Sequence, residues 1–277
     1  MKRLITRDID CFLGASFIFV LTLLLAACHS KEEWDHLDFY PVEKGEELCE
    51  NDTQMTEEGE RTTGDGQRKL DVKIDMQFVK TNKETSDKAC KMINDQLIEL
   101  LLKQSSELSA EEAMEQYIED VKAEFHGDKI ANVYYDHLTG RAEYGMSHII
   151  NYRLVQDVFT GGAHPCTITT ILRFNTQTGE FITLDQVFPL MNQRKLQDLL
   201  LAKLMKDNNA PSIEDLHQKG ILEMTDMFVS NNFAMREDSI EFYYNEYDIA
   251  PYAYGACTIC ISYEDAKDLM LTEKSRM

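Results

Sequence analysis

Leu70-Asp71-Val72-Lys73-Ile74-Asp75-Met76-Gln77-Phe78 alternates apolar and polar residues without a break. A period of two marks a strand with one face in a core and the other in solvent. A few residues later the period changes. From about 84 to 104, Ala89, Met92, Ile93, Leu97, Leu100 and Leu101 fall on one face of a helix. Ser109 and Glu112 have the spacing of a capping box, so a second helix is predicted to start there. It continues through Met114, Tyr117, Ile118, Val121 and Phe125. The short polar link between the two predicts an αα-hairpin.

From 130 to 185 the chain reads as β again. Tyr144, Met146, His148, Ile150, Tyr152, Leu154 and Val158 are predicted to share one face of a long strand. Gly140, Gly161-Gly162 and Gln177-Thr178-Gly179 divide the region into a meander. A helix over 192–207 carries Leu196, Leu199, Leu200, Leu204 and Met205, and Pro211-Ser212 opens another. Strands return near 233–245 and 256–262, and Tyr263-Glu264-Asp265-Ala266 suggests a last helical turn. Strands and helices in blocks, without βαβ alternation, predict an α+β fold: an antiparallel sheet with the αα-hairpin and further helices packed on it.

The ends of this folded part are set by composition. Lys2, Arg3 and Arg7 precede an apolar run that closes on Leu25-Ala26-Ala27-Cys28. A basic start, a short apolar stretch and small residues at the cut site predict a secretory signal over 1–27. The final four residues resemble the bacterial lipobox, which implies acylation at Cys28 and a stable membrane anchor. Lys31-Glu32-Glu33 resembles the export tags of surface lipoproteins in some Gram-negative bacteria, so the expected place is the outer membrane, facing outward. Residues 28–68 are predicted to be an acidic disordered tether. Within 31–68, thirteen residues are Asp or Glu and four are Lys or Arg, a composition too polar and too unbalanced to offset ordering entropy.

The whole chain has 28 Lys and Arg against 49 Asp and Glu. Residues 1–27 hold three of the basic and two of the acidic ones, so the remainder carries 25 against 47, a net charge of −22. Such a field opposes nucleic acid and anionic headgroups and favours a basic partner. Five cysteines follow Cys28: Cys49, Cys90, Cys166, Cys257 and Cys260. Export permits disulfides, but an odd count is no complete framework.

Three stretches recur together in one known family. They are Phe159-Thr160-Gly161-Gly162-Ala163-His164-Pro165, then Phe174-Asn175-Thr176-Gln177-Thr178-Gly179-Glu180 leading to Leu184-Asp185-Gln186-Val187-Phe188, and Phe242 to Gly255 with its Tyr247-Asp248-Ile249-Ala250-Pro251-Tyr252-Ala253-Tyr254. In this order they resemble the DUF3298 family, and the region before them resembles its partner module DUF4163. The resemblance implies two adjoining modules, 69–160 and 161–277. It also implies an extracytoplasmic recognition domain, since the family includes lysozyme-sensing anti-sigma factor ectodomains and modules beside polysaccharide deacetylases. The chain lacks the Thr-Phe-Asp-Asp-Gly motif and the His-x-x-x-His metal pair of such a deacetylase.

Candidate site residues are few. His164 follows two glycines at a turn, and its plainer role is to hydrogen-bond the loop. His148 lies on an apolar stripe and reads as a core histidine. Tyr247, Tyr252 and Tyr254 belong, with Tyr243 and Tyr244, to the densest aromatic group, which suits packing, sugar stacking or a protein anchor. Gly145-Met146-Ser147-His148-Ile149 starts like a nucleophile elbow but lacks the second glycine. Cys257 and Cys260 sit in a strand, where residues three apart face opposite ways and do not bridge. No two histidines are spaced as a helical zinc pair, and no P-loop or dinucleotide fingerprint occurs. No cofactor or metal is therefore implied. The expected partners are the membrane through Cys28 and either a basic, lysozyme-like protein or a cell-wall glycan. An envelope-polymer hydrolase using His164 is the remaining alternative.

Overall fold

The computed structural model describes residues 37–55, 61–80, 87–127, 132–146 and 148–271, with side chains from 67 onward and over 37–50. The signal segment 1–27, Cys28, the rest of the tether to 36, residues 56–60 and Ser147 lie outside the described residues.

Strands β1 (Asp38–Met55), β2 (Arg61–Lys80), β3 (Val133–Tyr144), β4 (Ile149–Phe159) and β5 (Cys166–Asn175) form one sheet in that order. Between β2 and β3 run α1 (Asp87–Leu97), a π turn over Ile98–Leu102, and α2 (Ala110–Gly127). The alternation of β2 is realised as read: Leu70, Val72, Ile74, Met76 and Phe78 are all buried, and they share a core with Ile93, Leu97, Met114, Ile118 and Phe125 from the helices. Asn94 fastens α1 to the sheet, its amide pairing with both Val79 N and Val79 O at 2.8 Å. The capping box at α2 forms, with Ser109 N donating to Glu112 and Glu112 N to Ser109 Oγ.

Several expectations are corrected here. The tether 28–68 is not disordered where it is described, because Asp38 to Asn51 pairs antiparallel with Lys80 to Gln67. Averaged composition hid a period of two. Tyr40, Val42, Lys44, Glu46, Leu48 and Glu50 are more buried than the residues between them. Their charges meet α2, through Lys44–Glu115 at 2.5 Å, Glu46–Lys122 at 3.0 Å and Glu50–His126 at 3.3 Å.

The sheet is mixed rather than wholly antiparallel, since β2 and β3 run parallel from Lys69↔Val133 to Met76↔Gly140. The intervening αα-hairpin returns the chain to the same end of the sheet, which is what a parallel pair requires. Leu100 is exposed, not core. The π turn adds a residue to its turn and rotates the face, so that Ile98, Leu101 and Leu102 point inward.

The single long strand read through 144–158 is two strands. It breaks at Gly145 to His148, where His148 adopts φ of 57°, outside any core stripe. Gly140, expected as a break, lies inside β3, where a Cβ would collide with the Tyr152 hydroxyl. Gly145 N donates to the Ile149 carbonyl and Ile149 N to the Met146 carbonyl, and β4 follows directly from Ile149, so no helix follows as an elbow would require.

After β5 come α3 (Leu184–Val187), α4 (Leu190–Asp207), α5 (Ile213–His217), strands β6 (Phe233–Met235) and β7 (Ser239–Tyr244), a 3₁₀ turn over Tyr252–Tyr254, β8 (Cys257–Ser262) and α6 (Tyr263–Ala266). β6, β7 and β8 make an antiparallel sheet over a second core that includes Leu196, Leu200, Leu204, Phe233 and Phe242. The module boundary expected at 160/161 lies inside the first sheet's β4–β5 hairpin. Leu172 and Phe174 belong to the first core, and the second begins at Leu184.

Polar clamps join the halves. Buried Asn151 pairs with Met235 through N and O at 2.9 and 3.0 Å. Asn232 and Asn245 satisfy the backbone of Thr169 and Ile171 on edge strand β5, covering groups that would otherwise template further pairing. Arg173, 2% exposed, donates to the carbonyls of Ile171, Asn231, Phe233 and Ile182. Its guanidinium lies 3.8 Å over Phe233 and 5.2 Å over Phe181.

Candidate functional site

The side of the five-stranded sheet away from α1 and α2 carries the odd-numbered residues of β3 and β4. Tyr135 lies opposite Phe159 and His137 opposite Asp157, and the Tyr135 ring is 5.2 Å from His137 and 6.0 Å from Phe159. At the end of β4 the chain reverses through Gly161 and Gly162, with φ of 100° and 103°. Only glycine adopts such angles freely, and the reversal delivers His164 beside the loop that follows β7.

That loop is fixed at several points. Asn245 N donates to Asp248, Tyr247 N to the Ala250 carbonyl, and Leu222 N to the Ile249 carbonyl. Tyr247 itself has φ of 69°. The result is a stack: Tyr252 lies 3.7 Å from His164, 18° from parallel, and the Tyr247 ring is 6.1 Å from Tyr252. His164 Nδ1 stands 2.9 Å from the Pro165 carbonyl, which can only accept, so Nδ1 carries the proton. Nε2 then accepts from the Tyr247 hydroxyl at 3.0 Å.

Three of the four ligand-binding residues read from sequence therefore come together: His164, Tyr247 and Tyr252. Tyr254 does not join them, because its hydroxyl donates to Asn208 at the end of α4. Tyr244 is core, bonded to the Phe228 carbonyl, and Tyr243 packs under Arg153.

The structure adds Tyr135, Asp157, Cys166 and Glu246. Glu246 lies in the third family stretch and Cys166 among the cysteines counted above, but neither was read as a site residue, and Tyr135 and Asp157 carried no signal beyond their place in a strand. Burial pushes the Cys166 thiol up, and the carboxylates of Glu246 and Asp157 push it further. The Tyr135 hydroxyl is likewise raised by burial, by Asp157 and by Tyr252. These groups form one anionic, aromatic ledge. Among the described residues neither Asp157 nor Glu246 has an ion-pair partner, and Glu246 Oε2 is buried without a hydrogen bond.

Carboxylates beside a thiol oppose thiolate formation, so Cys166 is held as a weak nucleophile. What the ledge offers instead is negative charge and ring faces, a combination that attracts ammonium and guanidinium groups. Among the described residues no three His, Cys, Asp or Glu side chains converge as a metal site. The five cysteines after Cys28 are free, and Cys257 and Cys260 point to opposite sides of β8 as read.

Residues 185–264 match the family described as Protein of unknown function (DUF3298). The chain carries a DUF3298 domain. A crystal structure of a member of the DUF3298 family from Bacteroides fragilis superposes with a TM-score of 0.69 at 22% identity, over 85% of this chain and 94% of that one. A DUF3298 family protein from Pseudomonas aeruginosa superposes with a TM-score of 0.59 at 14% identity, over 86% and 96%. At such identities the likeness is one of fold, and it extends well beyond the matched residues into the five-stranded sheet. No curated protein matches the chain. The DUF3298 domain supplies Glu246, Tyr247 and Tyr252 to the ledge, while Tyr135, Asp157, His164 and Cys166 come from outside it.

Proposed function

We propose that the protein is a recognition protein of the bacterial envelope, anchored by lipid at Cys28 in the outer membrane, whose ledge receives a basic group of a cationic, lysozyme-like protein. The observation that carries this reading is the pairing of two uncompensated carboxylates, Asp157 and Glu246, with the exposed His164–Tyr247–Tyr252 stack. The excess of acidic residues along the chain supports it, since a field of one sign speeds encounter with a partner of the other. The DUF4163-like reading of 69–160 belongs to the same proposal. No helix among the described residues is long and apolar enough to cross a membrane.

Calorimetry of the purified protein with lysozyme at low and at moderate salt tests it. Saturable binding that weakens as salt rises is expected, with Asp157→Asn and Tyr252→Ala each weakening it about tenfold, or 1.4 kcal/mol. Absence of heat at low salt, or wild-type affinity in both variants, would sink the proposal.

A second reading has its own observation. Tyr247 is 58% exposed, and an exposed aromatic residue beside hydrogen-bonding groups suits a sugar face. Cosedimentation with purified peptidoglycan that is lost in Tyr247→Ala would favour a glycan over a protein.

A further inference from the structure

A separate concavity of about 740 Å³ lies where the two halves meet. Its walls come from the β3–β4 turn, the β5–α3 connection, β6 and the segment after α6. The floor is apolar: Met146, Ile149, Val187, Met235, Met270 and Leu271. Three of those six are methionines, whose unbranched side chains adapt to the shape of an occupant. The volume falls within the range of small-molecule sites, and junctions between units are a common place for them.

Its polar lining is His148, Asn175, Gln177, Glu180 and Gln186. Glu180 is the one carboxylate among them, and among the described residues no lysine or arginine lines the concavity. A neighbouring depression shares Glu180, Phe181 and Gln186 and adds Asp95 and Glu99. Asp95 is paired with Lys91, and Glu99 accepts from Ser106. Glu180 accepts only a 3.3 Å bond from Thr178 and, among the described residues, has no cation. The Gln186 side-chain oxygen accepts from Thr183 N and Oγ1 at the start of α3.

We propose that this concavity binds a small cationic amphiphile, with its apolar body against the methionine floor and its ammonium group at Glu180. The site shares no residue with the His164–Tyr252 ledge and stands independently of the function proposed above. Because its walls are drawn from both halves, an occupant stabilises their junction.

Calorimetry of the purified protein with decyltrimethylammonium, decyl sulfate and decanol, each kept below micelle formation, tests the proposal. One saturable site is expected, with the alkylammonium bound about tenfold more tightly than the sulfate. Glu180→Gln, an exposed position, should remove that preference while decanol binds as before. Met270→Trp should weaken all three by filling the floor, and Tyr252→Ala should change nothing. No saturable site, a preference for the sulfate, or an unaltered preference in Glu180→Gln would overturn it.

Discussion

Replacing Arg173 by Leu removes a buried cation that contacts no carboxylate. Its five hydrogen bonds go to four main-chain carbonyls at 2.9–3.1 Å, two of them on residues flanking β6 or within it. Burial pushes the guanidinium below the usual arginine range, so the native state already bears a desolvation cost that the carbonyls and the Phe233 face offset. Truncation relieves that cost but leaves four acceptors short of a donor. A buried acceptor without its donor costs about 1–3 kcal/mol, and removing the charge returns part of the total. The expected net loss is about 3 kcal/mol. For a chain of this size that corresponds to a fall in Tm of roughly 6–12 °C. Arg173→Lys should lose a comparable amount, because one ammonium cannot reach carbonyls spread around a planar fork. Urea unfolding followed by far-UV circular dichroism, with calorimetry in parallel, measures both. A loss under about 1 kcal/mol in Arg173→Leu would refute the view of Arg173 as the clamp between the halves.

Asp136 is buried and its carboxyl is pushed up by desolvation, against the pull of hydrogen bonds from Tyr117 at 2.6 Å and Gln156 at 2.9 Å. A raised carboxyl binds more protons in the native state, so its contribution falls as pH rises from the ordinary carboxylate range through the folded value. The urea midpoint of Asp136→Asn relative to wild type should therefore improve from mildly acidic to neutral pH, and a constant difference would contradict the sign. Gly140→Ala puts a methyl group into the Tyr152 ring and Met76, and a loss of about 2 kcal/mol is expected from overpacking, read from the same unfolding curves. Ser109→Ala removes the hydroxyl that accepts from Glu112 N at the start of α2, while the backbone bond from residue 109 to the Glu112 carboxylate remains. Its expected effect is about 1 kcal/mol, seen as a lower unfolding midpoint with an unchanged slope.

The sequence by itself determined what a few neighbouring residues decide. The alternation of Leu70 to Phe78, the caps at Ser109 and Ser212, the reversal at Gly161-Gly162 and the opposed faces of Cys257 and Cys260 all stand as read. Each depends on backbone geometry or on hydrogen bonds spanning about four residues or fewer, so the local string contains the whole cause. The tertiary structure decided everything that needed a distant partner. β1 looked like a solvated tether because its charges were counted without the residues on α2 that neutralise them. The parallel union of β2 with β3 and the π turn that expels Leu100 answer to the packing of helices on the sheet. The ledge was half legible, as His164, Tyr247 and Tyr252. Tyr135, Asp157 and Glu246 joined it only because strand register and the clamps of Asn151 and Arg173 bring residues about a hundred positions apart to one surface. Burial of both cores fixes that approach, and it is a property of the whole chain.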